Sequence, residues 1–190
     1  MTAYHVLHVC TGNICRSPMA ELIMRAGLEQ RFGPSVDVEV RGAGTYGGHA
    51  GGPMHAPAAE VLGELGLDGS GFTSSWLREP QVQWADLVVT ATAEHRSAVL
   101  QLEPRALRRT FTLRELARLA RQVGADRLPV GSPGERLRAL VALAGELRAL
   151  HPSPGRGADD IGDPYGGPME EYRATARAIS GALDDILRPL

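Results

Sequence analysis

Near its beginning the chain reads Val6-Leu7-His8-Val9, followed by Cys10-Thr11-Gly12-Asn13-Ile14-Cys15-Arg16-Ser17. The first run is short, apolar and β-branched, which predicts a buried strand over residues 4–9. Ser17 and Pro18 predict the N-cap and the first residue of a helix. The loop between them therefore joins the end of a strand to the start of a helix, where backbone N–H groups converge on an anion.

The rest of the chain alternates apolar strands with amphipathic helices. Residues 42–52 are dense in glycine and are predicted to form a loop. Further strands are predicted at residues 36–40, 85–90 and 109–111, and further helices at residues 56–65, 94–102, 113–123 and 168–187. This alternation is typical of an α/β fold: a four-stranded parallel sheet with helices on both faces.

The length of 190 residues favours a single domain over residues 1–190. Residues 124–160 depart from the strand–helix alternation, because a leucine-rich helical pattern over residues 133–150 lies between segments rich in glycine and proline. We therefore expect an inserted helical segment at about residues 124–160. Such a segment would either cover a functional site or bind a partner.

Composition narrows the class of protein. The formal net charge of −2 argues against general nucleic-acid binding, so any anion site must be local. Residues 1–5 carry no charged leader, and no apolar stretch approaches the ~20 residues that span a bilayer. The two cysteines are close together, which is not a disulfide framework. We expect a cytoplasmic protein, a monomer or weak dimer, without nucleic acid or membrane insertion.

Cys10 has two interpretations. A free cysteine at a strand end is commonly a small core residue. With Arg16 six positions later and Gly12 between them, Cys10 is instead expected to be a nucleophile, because a cation and a helix N-terminus favour the thiolate. The intervening residues wrap the backbone around one phosphate-sized group, and the arginine holds two of its oxygens. The predicted phosphate-binding residues are Thr11, Gly12, Asn13, Ile14, Cys15, Arg16 and Ser17.

Three other loop residues have specific expectations. Ser17 caps the helix, and its hydroxyl can also donate to the Cys10 thiolate. Asn13 tolerates a left-handed backbone and ties the loop together. Cys15 is either a small residue packed under the loop or a redox-protective thiol that bonds oxidised Cys10.

Phosphoryl transfer to a thiol also needs an acid for the departing oxygen. Asp163 is the best candidate, because Pro164 fixes the backbone directly after it. Asp159 and Asp160 compete for this role but have no adjacent proline. The remaining proposals for a base or ligand are weak and concern His5, His8 and His95. No cluster has metal-ligand spacing, so we expect neither a metal nor a cofactor.

These motifs resemble the low-molecular-weight protein tyrosine phosphatases of bacterial type. The likeness runs from residues 10–21 through Ala43-Gly44-Thr45, residues 85–90, His95, Phe111-Thr112-Leu113 and Asp163-Pro164-Tyr165. The resemblance implies a flavodoxin-like strand order, with residues 124–160 as an insertion before the acid. It also implies that Cys10 is the nucleophile, Arg16 binds phosphate, Asp163 is the general acid and Ser17 steadies the thiolate.

Besides the insertion at residues 124–160, the chain departs from the family pattern at two positions. Gly42 stands where the family usually has a serine that bonds the loop asparagine, so Asn13 must be supported weakly or from elsewhere. Gly166 replaces a frequent second aromatic residue, which leaves Tyr165 as the main wall for a substrate ring. The expected substrate rim consists of Tyr46, His49 and Tyr165, with Ile14 as the specificity residue inside the loop.

The resemblance implies a phosphorylated protein as partner, with phosphotyrosine favoured because Ile14 is apolar. A protein-arginine phosphatase of the same fold is the first alternative: those enzymes carry a threonine in place of Ile14, but Gly166-Gly167 resembles them. Arsenate reductases share both loop cysteines but need a distal redox pair, and this chain has no third cysteine. A non-catalytic phosphate-binding module would be favoured if the nucleophile, arginine or acid were missing, and all three are present.

Overall fold

Four parallel strands form one sheet in the order β2-β1-β3-β4. The computed structural model describes residues 3–190; Met1 and Thr2, on which the expectation about a leader partly rests, lie outside the described residues. The strands are β1 (Tyr4–Cys10), β2 (Val38–Gly44), β3 (Leu87–Thr90) and β4 (Thr110–Thr112). The predicted parallel sheet and its flavodoxin-like order, in which the second strand lies at one edge, are confirmed.

The helices of the described residues cover this sheet. They are α1 (Arg16–Phe32), α2 (Ala56–Glu64), α3 (Glu79–Trp84), α4 (Ala93–Leu102), α5 (Leu113–Val123), α6 (Pro133–Leu147) and α7 (Met169–Leu187). Short 3-10 turns occur at Gly47–His49, Pro104–Arg109 and Ala125–Arg127. Helix α3 was not predicted, because six residues are too few for an apolar period to be visible.

Strand β1 runs through the middle of the sheet and is buried on both faces. Tyr4 and Val6 join the larger core, to which α1, α2, α5, α6 and α7 contribute. Leu7 and Val9 point to the other face, where they pack with residues of α3 and α4. This alternation places Cys10, the last residue of the strand, at the carboxyl edge of the sheet, where ligands bind in open α/β folds.

Two local predictions were wrong. Helix α1 begins at Arg16 with Cys15 at its N-cap, not with Ser17, because the Ser17 hydroxyl bonds the Cys10 thiol and the Asn13 amide instead. Strand β2 continues to Gly44 through residues predicted as loop. Its last residue, Gly44, lets another backbone approach closely, as described below.

Helix α6 is part of the core and does not cover the carboxyl edge of the sheet. Leu137 and Leu140 are fully buried, and the helix packs on α5 and β1. Its N-terminal Gly134 N–H donates to Asp37, which precedes β2 at the opposite edge. That residues 124–160 are an insertion stays a prediction.

Within residues 3–190, no helix is long and apolar enough to cross a membrane.

Candidate active site

Residues 10–17, the cradle loop, connect β1 to α1 and lie over the end of β2. Three carbonyl oxygens of the loop face outward and accept hydrogen bonds of 2.8–2.9 Å from backbone N–H groups elsewhere in the chain. Thr45 N–H donates to the Cys10 carbonyl, Tyr46 N–H to the Thr11 carbonyl and His55 N–H to the Ile14 carbonyl. Because C=O and N–H of a trans peptide point in opposite directions, holding these carbonyls outward turns the following N–H groups inward. The loop therefore has the form of an anion cradle.

Gly44 explains how this loop and β2 fit together. A Cβ on Gly44 would lie 2.6 Å from the Thr11 carbonyl oxygen and 2.7 Å from the Gly12 carbonyl carbon. Both are backbone atoms, so neither can rotate away. The glycine is needed here for close approach of two backbones, not for flexibility.

Asn13 holds the loop from within. Its φ of 52° is the one positive value at a non-glycine residue among residues 3–190, as its predicted left-handed conformation requires. The fully buried side chain donates from Nδ2 to Ser17 Oγ at 2.8 Å. Ser17 Oγ in turn lies 3.0 Å from Cys10 Sγ. The Ser17 hydroxyl faces two acceptors, the Cys10 sulfur and the more distant Ala43 carbonyl oxygen at 3.5 Å, and donation to the sulfur stabilises a thiolate.

Support for Asn13 comes from Ser75, a residue that the sequence did not reveal. The Ser75 backbone N–H donates to Asn13 Oδ1 at 2.8 Å. A serine at position 42 would require the Asn13 and Glu21 side chains to shift, because a Cβ on Gly42 would lie 2.7 Å from Asn13 Nδ2 and 2.8 Å from Glu21 Oε2. Where the family usually has a serine side chain, this chain therefore has a glycine with the buried carboxyl group of Glu21 beside it, under the loop.

Glu21 is an ionisable residue that lies behind the cradle loop. It is 6% exposed and pairs with Arg25 at 2.7 Å. Burial raises the pKa of this carboxyl to about 7, although Arg25 and Arg41 oppose the shift. Glu21 lines a cavity of about 650 Å³ that also reaches Gly42 but not Cys10.

Arg16 projects from the first turn of α1 into the cradle. Its Nη1 donates to the Ile161 carbonyl at 3.2 Å, and Nη2 donates to Asp163 Oδ2 at 2.6 Å and to Thr11 Oγ1 at 3.0 Å. The residue is 5% exposed, and Nε has no hydrogen-bond partner among the described residues. A buried donor without a partner is costly, and an oxyanion bound in the cradle would satisfy it.

His95 fixes the Thr11 hydroxyl from outside the cradle. Its Nε2 lies 2.9 Å from Thr11 Oγ1, and its Nδ1 lies 2.7 Å from Thr92 Oγ1. Burial, aided by the charge of Arg16, lowers the pKa of His95 to about 4. The imidazole is therefore neutral at pH 7 and carries its proton on one ring nitrogen. Thr11 Oγ1 accepts from Arg16, and the tautomer of His95 sets whether each threonine hydroxyl donates to the ring or accepts from it.

The acid loop, residues 161–167, brings a distant part of the chain to the cradle. The Ile161 N–H donates to the Ala91 carbonyl at 2.8 Å, which anchors the loop at the end of β3. Gly167 N–H donates to the Pro164 carbonyl at 2.9 Å and closes a turn. Gly166 has a φ of 79°, which that turn requires and a bulky aromatic residue would resist.

The structure separates Asp163 from its two competitors. Asp159 pairs with Arg118 at 3.0 Å, and Asp160 accepts the Ala93 N–H at the start of α4 at 2.8 Å. Only Asp163 of these three lines the cavity that contains Cys10. This cavity measures about 180 Å³ and is lined by Cys10, Thr11, Gly12, Ile14, Cys15, Arg16, Tyr46, His49, Asp163 and Tyr165.

The expected rim residues surround this cavity. Tyr46 and Tyr165 are more than half exposed, and the His49 ring lies between them, 5.6 Å and 6.5 Å from their ring centroids. Ile14 is largely buried and contributes an apolar wall. The cavity thus combines an anion site at its base with aromatic walls at its mouth.

The other histidines singled out by sequence lie away from this cavity. His8 is buried in β1 with Nε2 at 3.3 Å from Met24 Sδ, and burial lowers its pKa to about 3. His5 stacks on Trp84.

Cys15 is buried and lines the cavity beside Cys10. Burial, followed by the nearby Cys10 sulfur, raises the pKa of the Cys15 thiol to about 12, so it stays protonated at pH 7.

The family follows from comparison with known proteins. Residues 5–133 match the family model described as low molecular weight phosphotyrosine protein phosphatase. The chain belongs to this family. It is therefore an enzyme of the protein-phosphatase class, as the resemblance implied.

Relatives and solved structures cover the chain almost completely. The chain is similar to a protein-arginine-phosphatase of Geobacillus stearothermophilus, with 30% identity over 98% of the chain and 96% of the relative. It is also similar to a low molecular weight protein-tyrosine-phosphatase of Streptomyces coelicolor, with 34% identity over 97% and 92%. A solved low molecular weight protein tyrosine phosphatase from T. tengcongensis superposes with a TM-score of 0.70 at 29% identity, covering 99% and 100% of the two chains.

Proposed function

We propose that this enzyme is a protein-tyrosine phosphatase that works through a cysteinyl-phosphate on Cys10. The observation that carries the proposal is the cavity in which a thiol, a buried arginine and a carboxyl group meet beneath aromatic walls. The arginine has an unsatisfied donor for the phosphoryl oxygens, and the walls at Ile14, Tyr46 and Tyr165 fit a phenyl ring.

The reaction has two steps and needs no metal. In the first, the Cys10 thiolate attacks phosphorus while Arg16 and the loop N–H groups hold the equatorial oxygens. The bond from phosphorus to the tyrosyl oxygen breaks, and Asp163 donates a proton to that oxygen. In the second, Asp163 removes a proton from water, which attacks the cysteinyl-phosphate and releases inorganic phosphate. Ser17 donates to the sulfur and favours its departure.

Phosphoarginine is the second candidate substrate. It is favoured by the relative named protein-arginine-phosphatase, which matches 98% of the chain, and by Gly166-Gly167 in the acid loop. Ile14 argues against it, because an apolar side chain offers no partner to a phosphorylated guanidinium. Asp163 is the single carboxylate that lines the cavity within the described residues, and it is already assigned to proton transfer.

Two peptides that differ only in carrying phosphotyrosine or phosphoarginine test the proposal. We expect kcat/KM to be at least about tenfold higher for phosphotyrosine, the discrimination that one well-fitted pocket contact provides. The Cys10→Ala variant serves as the blank for both. Equal hydrolysis of the two peptides would contradict a preference for tyrosine, and faster hydrolysis of the phosphoarginine peptide would replace tyrosine by arginine as the substrate class.

A further inference from the structure

His55 contacts both loops of the active site. Its backbone N–H donates to the Ile14 carbonyl of the cradle loop at 2.9 Å. Its ring Nδ1 lies 3.0 Å from Tyr172 Oη, and Tyr172 Oη accepts the Gly166 N–H of the acid loop at 3.3 Å. One residue thus bonds the cradle loop directly and, through a tyrosine on α7, the acid loop as well.

Gly166 N–H can only donate, so Tyr172 Oη is the acceptor there. In the tautomer of His55 that carries its proton on Nε2, the Tyr172 hydroxyl in turn donates to Nδ1. Tyr172 is fully buried, so a hydroxyl that loses either partner is left unsatisfied. The imidazole also packs on two rings: its centroid lies 5.7 Å from that of Tyr172 and 5.0 Å from that of Tyr165.

We propose that His55 and Tyr172 are positioning residues that hold the acid loop in register with the cradle loop, so that Asp163 reaches the leaving oxygen. The inference rests on the proposed function, in which Asp163 protonates that oxygen. Gly166 lies three residues after Asp163, and the rigid Pro164 lies between them. A shift of the Gly166 N–H is therefore passed along the turn to the carboxyl group, and proton transfer tolerates little displacement.

Leaving-group dependence tests this role. p-Nitrophenol departs readily as an anion, whereas phenol departs poorly without a proton, so phenyl phosphate reports the acid more strongly. The parameter is kcat/KM, which covers the steps up to departure of the phenol. We expect Tyr172→Phe to lower kcat/KM about tenfold for phenyl phosphate and less than about threefold for p-nitrophenyl phosphate. The tenfold loss is a part of the rate acceleration of roughly 10²–10⁴ that a general acid supplies.

Variants of His55 repeat the comparison without removing the buried tyrosine. His55→Ala should behave like Tyr172→Phe, because the tyrosyl proton loses its acceptor. His55→Asn places an amide oxygen near the position of Nδ1 and should restore most of the phenyl phosphate activity. These two variants also carry the test if Tyr172→Phe does not fold.

Tyr4→Phe is the matched control, because it removes the same atom from another buried tyrosine at the far end of β1. It should leave the ratio of the two substrates unchanged. Equal losses on both esters in the Tyr172 and His55 variants, or no loss on either, would overturn the positioning role. A wild-type enzyme that hydrolyses neither ester would instead overturn the proposed function.

Discussion

Arg16 Nη2 donates a 2.6 Å hydrogen bond to Asp163 Oδ2, which joins residues 147 positions apart. The contact pairs the proposed phosphate-binding cation with the proposed general acid. The arginine is buried and the carboxyl group is nearly half exposed, so the ion pair forms at the mouth of the cradle. We expect a phosphoryl group that enters the cradle to compete with Asp163 for the same guanidinium and so to free the carboxyl group for the leaving oxygen.

This competition predicts that Asp163→Asn lowers the rate without weakening phosphate binding. We expect kcat/KM for phenyl phosphate to fall about 10²–10⁴-fold, because no proton donor remains. Inhibition by inorganic phosphate should be equal or stronger, since Arg16 no longer faces a competing carboxylate. Steady-state kinetics with phosphate as a competitive inhibitor measure both. An unchanged rate would remove Asp163 from the role of acid.

Ile14 should set the preference between the two substrate classes. We expect Ile14→Thr to shift the ratio of kcat/KM values about tenfold from the phosphotyrosine peptide toward the phosphoarginine peptide, because it replaces apolar contact with a hydroxyl group. Ile14→Val is the control, since it keeps an apolar, β-branched wall and should leave the ratio within about threefold. A threonine variant with the wild-type ratio would show that specificity is determined elsewhere.

Glu21 predicts a pH-dependent stability. Its pKa rises from 4.5 to about 7 on folding, so the folded protein binds more protons than the unfolded chain between these values. The stabilisation that proton binding by Glu21 gives the folded protein is fully present below pH 4.5 and is lost as pH rises through about 7. The free energy of unfolding of Glu21→Gln, taken relative to that of wild type, should therefore increase from pH 5 to pH 8 by on the order of 2 kcal/mol.

Urea unfolding at both pH values measures this difference. Glu29→Gln, which changes an exposed carboxyl group on the same helix, is the control and should follow the wild-type profile. Parallel profiles for wild type and Glu21→Gln would show that Glu21 is ionised in the folded protein throughout this range.

Cys15 should protect Cys10 from irreversible oxidation. Peroxide converts the Cys10 thiol to a sulfenic acid, and attack by Cys15 forms a disulfide and releases water. Because the pKa of Cys15 is raised to about 12, we expect the protected fraction to grow between pH 7 and pH 9. Activity recovered with dithiothreitol after peroxide treatment measures protection. Equal irreversible loss in wild type and Cys15→Ser would rule it out.

Much of the fold and the centre of the site were predictable because they depend on side-chain identity. The apolar run before Cys10 specified the central strand, and the alternation of strands and helices specified a parallel sheet. Asn13 was expected in a left-handed conformation and has it. The structure brings Asp163 to Arg16, as the family resemblance implied, although spacing alone could not have placed them together.

The parts that were missed depend on backbone groups and close approach. Ser75 supports Asn13 through its N–H, which every residue but proline has, so sequence gave no signal. Gly44 was predicted as loop because glycine often marks flexibility, whereas here it lets two backbones touch. His55 escaped notice because its ring contacts Tyr172, 117 positions away.

Detection of the covalent intermediate tests the central claim most directly. Cys15→Ser combined with Asp163→Asn leaves Cys10 as the one cysteine of the chain and slows hydrolysis of the intermediate. After mixing with p-nitrophenyl phosphate and rapid quenching, mass spectrometry should find one phosphoryl group on Cys10 and none in the corresponding Cys10→Ala protein. Absence of this adduct, together with hydrolysis by Cys10→Ala at the wild-type rate, would contradict the account.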